Sequence, residues 1–195
     1  MKVFQIGFNR CGTTSIYELF DKIPKVHYWL LDSEVNIPEL KDDAISLTYF
    51  NGVKDSRKYI LLADIIKFNK ERNLNLLNGI SSKYVLFCDM ENVEQDYYSH
   101  VEDFKALDKQ YPGSKFILNT RNIDNWIESR IKHDNYLEIC REYHDIDNDS
   151  ILNLWRDRWF KHHNDVENYF KDKDNLLIFN IEEDNVDKLI NFLPE

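Results

Sequence analysis

Glycine and proline are scarce in this chain, which has five glycines and four prolines among 195 residues. Flexible linkers and low-complexity tracts are rich in these residues, and no internal repeat is visible either. A chain of this length can bury a sizeable apolar core without disulfides or metal. We therefore expect a single domain over residues 1–195.

Cysteine is equally rare, and Cys11, Cys88 and Cys140 are widely spaced. An odd number at such spacing is typical neither of a disulfide framework nor of a zinc site, and it favours a reducing compartment.

Long apolar runs are missing, and no leader-type segment precedes the first apolar stretch. These absences predict a cytoplasmic protein that does not enter a membrane.

Positive charge is in deficit, with 25 Lys and Arg against 35 Asp and Glu and a net charge of −10. Nucleic acids and anionic membranes attract basic surfaces, so we expect neither as a partner. Any anionic ligand must then be met by cations concentrated locally. Arg10, Arg121 and Arg130 are the arginines nearest to the two motifs described next.

What the chain does have is a loop with a glycine at each end. The apolar run at residues 3–6 predicts a buried strand, and the apolar residues of 16–23 recur at helical spacing. Gly7 and Gly12 therefore bracket a turn that leads into a helix. Free backbone N–H groups and the helix dipole make such a turn favourable for a phosphate or sulfate.

The loop differs from the nucleotide-binding P-loop in one respect. Gly7 and Gly12 have the right spacing, but Thr13 stands where that loop carries its lysine, and a cation occurs instead at Arg10. The segment Arg10-Cys11-Gly12-Thr13-Thr14 resembles the 5′-phosphosulfate loop of sulfotransferases, which use 3′-phosphoadenosine 5′-phosphosulfate (PAPS).

A second segment strengthens this resemblance. Residues 115–130 resemble the 3′-phosphate segment of the same family, with Arg121 at the end of a strand and Ser129 on the next helix. An arginine at the carboxyl end of a parallel strand can donate two hydrogen bonds to a phosphate. A serine two turns into the next helix can contact the same phosphate. Weaker similarities to bacterial-type sulfotransferases run through nearly the whole chain.

Alternating strand and helix patterns predict the α/β class, as a three-layer sandwich with a central parallel sheet of about five strands and a P-loop-like phosphate-binding loop. The predicted strands are residues 2–7, 25–30, 84–88, 115–119 and 176–181. The predicted helices are residues 14–22, 57–72, 97–110, 122–133, 150–171 and 186–192. Residues 32–57 have weak periodicity, and we expect a substrate-facing loop or lid there.

The resemblance implies transfer of a sulfuryl group from PAPS to a hydroxyl, or less readily an amine, of a small molecule or carbohydrate. PAP would be the second product, and no metal is expected. By the same resemblance Arg121 and Ser129 hold the 3′-phosphate, and Arg10 also neutralises charge on the leaving phosphate oxygen. The implied 5′-phosphosulfate loop comprises Arg10, Cys11, Gly12, Thr13, Thr14 and Ser15.

The general base has three candidates in the sequence. Asp89 ends an apolar strand, where partial burial can make it a usable base, and the ordinary pKa of His27 is already near neutral pH. Glu34 lies further along a loop and ranks third. Each also has a structural interpretation, because His27 suits a core position and Asp89 can order Arg10 or cap a loop.

Two other functions remain open at this stage. Residues 84–91 look like a strand that ends in a metal-holding Asp89, which favours a P-loop phosphotransferase or nucleotide hydrolase. A nonenzymatic nucleotide-binding module would also keep the loop. The sequence does not indicate the acceptor or the oligomeric state.

Two segments imitate metal sites without completing them. Residues 145–149 lack the glycine and glutamate of a calcium loop. His162 and His163 with Asp165 lack a third ligand at helical spacing, so we expect a surface or capping role for the histidines.

Overall fold

The computed structural model of the protein describes residues 1–42, 44–46, 49–50, 53–54, 57–133 and 135–193. Its strands are β1 (Val3–Gln5), β2 (Lys25–His27), β3 (Trp29–Leu31), β4 (Ile45–Ser46), β5 (Tyr49–Phe50), β6 (Val53–Lys54), β7 (Lys58–Leu61), β8 (Leu86–Cys88), β9 (Glu91–Asn92), β10 (Tyr97–Tyr98), β11 (Lys115–Thr120) and β12 (Leu176–Asn180). Its α-helices are α1 (Thr13–Leu19), α2 (Leu62–Glu71), α3 (Ser99–Glu102), α4 (Phe104–Gln110), α5 (Ile123–Ile131), α6 (Tyr136–His144), α7 (Asn148–Phe170) and α8 (Asp187–Phe192). Short 3₁₀ turns cover Asp32–Glu34, Pro38–Leu40 and Val93–Gln95.

The main sheet has the strand order β12-β11-β1-β8-β2-β3-β7-β4. Neighbours among the first five strands pair in parallel, and β3, β7 and β4 continue the sheet in antiparallel pairs. The α/β class and the parallel sheet of five strands are thus confirmed. Because parallel strands end at the same edge, the loops after β1, β8 and β11 meet there.

Helices cover both faces of the sheet. On one face, Phe4 stacks between Phe87 and Phe116 with ring centroids 5.5 and 5.4 Å apart, and this core continues into α2, α4 and α7. On the other face, residues of the same strands pack with Ile16 of α1 and Leu189 of α8. The alternation of side chains along each strand therefore feeds two cores, and the fold has three layers.

A third, aromatic core lies beside the loop that follows β1. It packs Phe8 and Cys11 against Trp126, Trp155 and Trp159 of α5 and α7. The apolar stripe of α7 is therefore core, as the sequence indicates. Helix α6 adds Tyr136 and Cys140 to this core and was not predicted.

Three predicted elements were wrong in part. The strand predicted at 25–30 ends at His27, because Tyr28 adopts a left-handed φ of 66° and the chain turns back as antiparallel β3. The helix predicted at 57–72 begins only at Leu62, since residues 58–61 pair with β3 as β7. The helix predicted at 97–110 starts as β10 and breaks between α3 and α4 at buried Asp103, which accepts a hydrogen bond from Tyr97.

The lid predicted at residues 32–57 falls partly outside the described residues. Its described parts contain two 3₁₀ turns and the short strands β4 to β6. Within the described part of the chain, no helix is long and apolar enough to cross a membrane.

Candidate active site

A cavity of about 1060 Å³ opens at the edge where the parallel strands end. The loop after β1 forms one wall, and His27, Asp89 and Arg121 reach it from the ends of β2, β8 and β11. The facing wall comes from α5, α6 and residues 91–94. Its volume lies at the top of the usual range for ligand sites, so it can hold a nucleotide together with a second substrate.

Asn119, near the end of β11, fixes the loop after β1. Its Oδ1 accepts a hydrogen bond from Gly7 N at 3.0 Å, and its Nδ2 donates to the Cys11 carbonyl at 2.9 Å. A Cβ atom on Gly7 would lie 2.0 Å from the Asn119 carbonyl oxygen, so only glycine fits there. Trp126 also holds the loop, because its Nε1 donates to the Asn9 carbonyl at 2.9 Å.

The loop residues predicted to bind the 5′ end of a donor face different ways. Arg10, Gly12, Thr13 and Thr14 line the cavity. Cys11 is completely buried in the aromatic core, where burial raises the pKa of its thiol. Ser15 is exposed on α1 and does not line the cavity. The structure therefore places Cys11 in a packing position.

The two predicted phosphate segments meet in space. Arg10 Nε donates to Ser129 Oγ at 3.2 Å, and Arg121 Nη1 donates to the Arg10 carbonyl at 3.2 Å. Asn122 starts α5 by accepting hydrogen bonds from two backbone N–H groups of the first turn, and this sets where Ser129 lies two turns later. Two arginines and a serine from distant segments thus share one end of the cavity.

Arg121 has a partner that the sequence did not indicate. Its Nε and Nη2 donate to Glu182 Oε1 at 2.9 and 2.6 Å. Glu182 Oε2 accepts from the backbone N of Asn122 at 2.9 Å, and this bond comes first among the contacts that lower the pKa of Glu182. The carboxylate holds the guanidinium in place and neutralises part of its charge.

His27 and Asp89 lie side by side inside the cavity. His27 Nε2 lies 2.7 Å from Asp89 Oδ2. The ring of Tyr17 packs against His27 at 5.1 Å. Asp89 takes a left-handed φ of 50° at the end of β8, and this turns its side chain toward His27.

The third base candidate, Glu34, does not join this pair. It accepts hydrogen bonds from Tyr84 Oη at 2.5 Å and from Lys83 Nζ at 3.4 Å, and it does not line the cavity. Burial raises its pKa, but the bonds from Tyr84 and Lys83 outweigh that effect and the net pKa is lowered. A carboxylate held in this way is a poor proton acceptor.

Glu91 is a cavity residue that the sequence analysis missed. It is buried, its Oε1 accepts from Tyr136 Oη at 3.3 Å, and its Oε2 has no partner in the described part of the chain. Burial, and then the nearby Asp89, raise the pKa of Glu91 to about 8 despite the opposing charge of Arg130. Its place two positions after Asp89 in the chain was the available sequence signal, because residues so close in sequence lie near each other in space.

Arg130 lies behind Glu91 and is fully buried. Its guanidinium carbon sits 4.7, 4.4 and 4.3 Å from the ring centroids of Trp126, Tyr136 and Trp155. These cation–π contacts offset part of the cost of burying the charge. Of the three arginines near the motifs, Arg10 and Arg121 face the cavity, whereas Arg130 supports its wall.

The histidines of α7 are structural, and the surface role expected for His162 was wrong. His162 is buried and its Nε2 pairs with the Ile6 carbonyl at 2.6 Å, while His163 bridges Thr120 and the Trp159 carbonyl.

In the segment that resembles a calcium loop, Asp147 caps α7 by accepting a hydrogen bond from Ser150 N at 2.8 Å. Among the residues described, no group of three His, Cys, Asp or Glu side chains is arranged to hold a metal ion.

Comparison with known families agrees with this geometry. A family model described as a sulfotransferase domain matches residues 2–134, which include the loop after β1, Asp89, Arg121 and Ser129. A search of curated proteins finds no match. The family match extends over more than half of the chain and over most of the residues that line the cavity. The chain therefore belongs to the sulfotransferase family, whose members transfer sulfuryl groups.

Proposed function

We propose that the protein transfers a sulfuryl group from PAPS to a hydroxyl group of a small molecule or carbohydrate. The meeting of Arg10, Arg121 and Ser129 at one end of the cavity carries this proposal. Those contacts bring two cations and a hydroxyl together, and a donor with a phosphate at each end of its ribose would need such groups. In an acidic protein such a local cluster of cations favours an anionic ligand.

The donor would lie with its 5′-phosphosulfate on the loop and its 3′-phosphate at Arg121 and Ser129. Thr13 and Thr14 line the cavity beside Gly12 and offer hydroxyl donors to the phosphosulfate. Arg10 then balances the charge that grows on the leaving phosphate oxygen. Glu182 sets the orientation of Arg121 and at the same time weakens its attraction for the 3′-phosphate.

In the transfer, the acceptor oxygen forms a bond to sulfur while the bond from sulfur to the phosphate oxygen breaks. The acceptor loses its proton to a base, for which we propose His27. Because His27 Nε2 lies beside Asp89, Nδ1 is the nitrogen that would take the proton. Asp89 then stabilises the imidazolium that forms, as the acid of a catalytic triad does.

The first test is the binding of PAP, measured by calorimetry on wild type and Arg121→Ala. Loss of a charged hydrogen-bonded contact should weaken binding by ~1–3 kcal/mol, since the 3′-phosphate loses its main cation. Arg72→Ala is the matched control, because Arg72 lies on the surface at the end of α2 and does not line the cavity. Equal PAP affinity in wild type and Arg121→Ala would remove Arg121 from the donor site.

The same titration separates the other two functions. A P-loop phosphotransferase would bind ATP with magnesium better than PAP, and would need Asp89 for the metal. A binding module would take PAP but release no PAP from PAPS when acceptors are added. Thr13 in the place of the P-loop lysine and the pairing of Asp89 with His27 favour the sulfotransferase.

A further inference from the structure

The cavity is electrically asymmetric. Its cationic end holds Arg10 and Arg121, whereas the carboxylates Asp89, Glu91 and Glu94 form an acidic wall grouped around Tyr28. Arg10 and Arg121 are the only Lys or Arg side chains among the described residues that line the cavity, and the histidine nearest to the acidic wall is His27, beside Asp89. A donor with several negative charges would occupy the cationic end, so the acidic wall faces the second substrate.

The electrostatic effects of the carboxylates of this wall, and of Asp64, coincide at the hydroxyl of Tyr28. Burial raises the pKa of the Tyr28 hydroxyl, and four carboxylates raise it further. In decreasing order of effect these are Glu91, Glu94, Asp64 and Asp89. Their fields therefore overlap at Tyr28, which itself lines the cavity. Once Glu91 is ionised, at a pH near or above its raised pKa of about 8, negative potential is concentrated there because low-dielectric walls screen it poorly.

Glu91 is the member of this group that lacks a partner. The residue is only 4% exposed, and its Oε2 has no hydrogen-bond partner among the described residues although Glu91 lines the cavity. A buried carboxylate oxygen without a partner is costly, and a donor from a ligand would remove that cost. Arg130 does not fill this role, because its guanidinium is enclosed by three aromatic rings.

Aromatic rings complete the surroundings. Tyr28, Trp29 and Tyr136 line the cavity; the rings of Tyr28 and Trp29 lie 5.2 Å apart, and Tyr136 Oη donates to Glu91. The negative faces of such rings attract an ammonium group as carboxylates do, but without a desolvation cost of their own. Carboxylates together with ring faces recognise an organic cation better than a neutral alcohol.

Resting on the proposed function, we propose that the acceptor carries an amino group, which binds as an ammonium ion at Glu91 between Tyr28 and Tyr136. The ammonium is the anchoring group, and a hydroxyl elsewhere on the acceptor receives the sulfuryl group. The acceptor class is thus an amino alcohol, aminophenol or amino sugar. Glu91 is a specificity-determining residue in this arrangement and takes no part in the proton transfer assigned to His27.

The test compares two probes that differ only in the amino group, tyramine and 4-ethylphenol. Their affinities for the PAP-saturated protein are measured by calorimetry at pH 8. Tyramine should bind about tenfold more tightly or better, the scale of a desolvated charge pair with cation–π support. In Glu91→Gln this preference should fall at least about threefold, whereas Glu142→Gln, on the exposed face of α6, should keep it.

Equal affinities of the two probes for wild type, or an unchanged preference in Glu91→Gln, would overturn the proposal. Should Glu91→Gln fail to fold, Glu94→Gln serves instead, because Glu94 is exposed and its replacement leaves the core intact. The probe pair is also measured without PAP. Failure of PAP to bind would then count against the proposed function, while the probe preference would still decide whether the amino site exists.

Discussion

Replacing Asn119 is the most informative perturbation of the site, because one buried side chain ties the donor loop to the central sheet. In Asn119→Ala, Gly7 N–H loses its acceptor and the Cys11 carbonyl loses its donor. Each buried polar group left without a partner costs ~1–3 kcal/mol. The free energy of unfolding should therefore fall by ~2–4 kcal/mol.

The same change should also loosen the loop that holds Arg10 and Thr13, so PAP affinity should fall at least about tenfold. Urea denaturation followed by circular dichroism measures the first effect, and calorimetry measures the second. Asn153→Ala on the exposed face of α7 is the control and should change neither. A variant Asn119→Ala with stability within about 0.5 kcal/mol of wild type and normal PAP affinity would refute the role of Asn119.

Three further predictions concern single side chains of the cavity. The pKa of Glu91 is about 8 in the folded protein against an ordinary value of 4.5, so the folded form holds an extra proton between these values and the free energy of unfolding falls as pH rises through them. Glu91→Gln removes this slope, and its stability relative to wild type should be higher at pH 8.5 than at pH 5 by at least about 1 kcal/mol in urea denaturation; a difference that is independent of pH would contradict the raised pKa. Glu182→Gln frees Arg121 from a competing charge and should strengthen PAP binding about three- to tenfold by calorimetry, and weaker binding would mean that Glu182 acts mainly by orienting Arg121. His27→Ala should lower turnover with an acceptor by roughly 10²–10⁴-fold while PAP affinity stays within about twofold, and normal turnover would move the base elsewhere.

The sequence predicted the parts of the fold that depend on local pattern. The short apolar strands, the glycine-bracketed loop and helix α7 can each be predicted from the pattern of their own residues, without knowledge of distant contacts. The convergence of Arg10 with Arg121 and Ser129 also followed, because parallel strands end at one edge.

The errors lie where pairing between distant segments decides the structure. Residues 58–61 are a strand because β3 and β4 pair with them, and residues 97–98 are a strand because they pair with β9. Nothing in the local pattern of either segment reveals its partner. The burial of Glu91 could not be predicted in the same way, since acidic residues are usually exposed and only the folded cavity wall encloses this one.

The partners of charged side chains could not be predicted from the sequence either. Glu182 lies 61 positions from Arg121 in the chain and pairs with it because β12 lies beside β11 in the sheet. Glu34 was a reasonable base candidate until its bonds to Tyr84 and Lys83 became visible. Such contacts depend on tertiary packing and have no signature in spacing.

The most direct test of the central claim is transfer from PAPS labelled with radioactive sulfur, in the presence of a panel of hydroxylated acceptors that includes amines. We expect the label to appear in an acceptor with release of an equal amount of PAP, and the reaction to continue in excess EDTA because Arg10 and Arg121 supply the positive charge. The account would be contradicted if no acceptor became labelled and no PAP was released, while the protein released phosphate from ATP in a magnesium-dependent reaction.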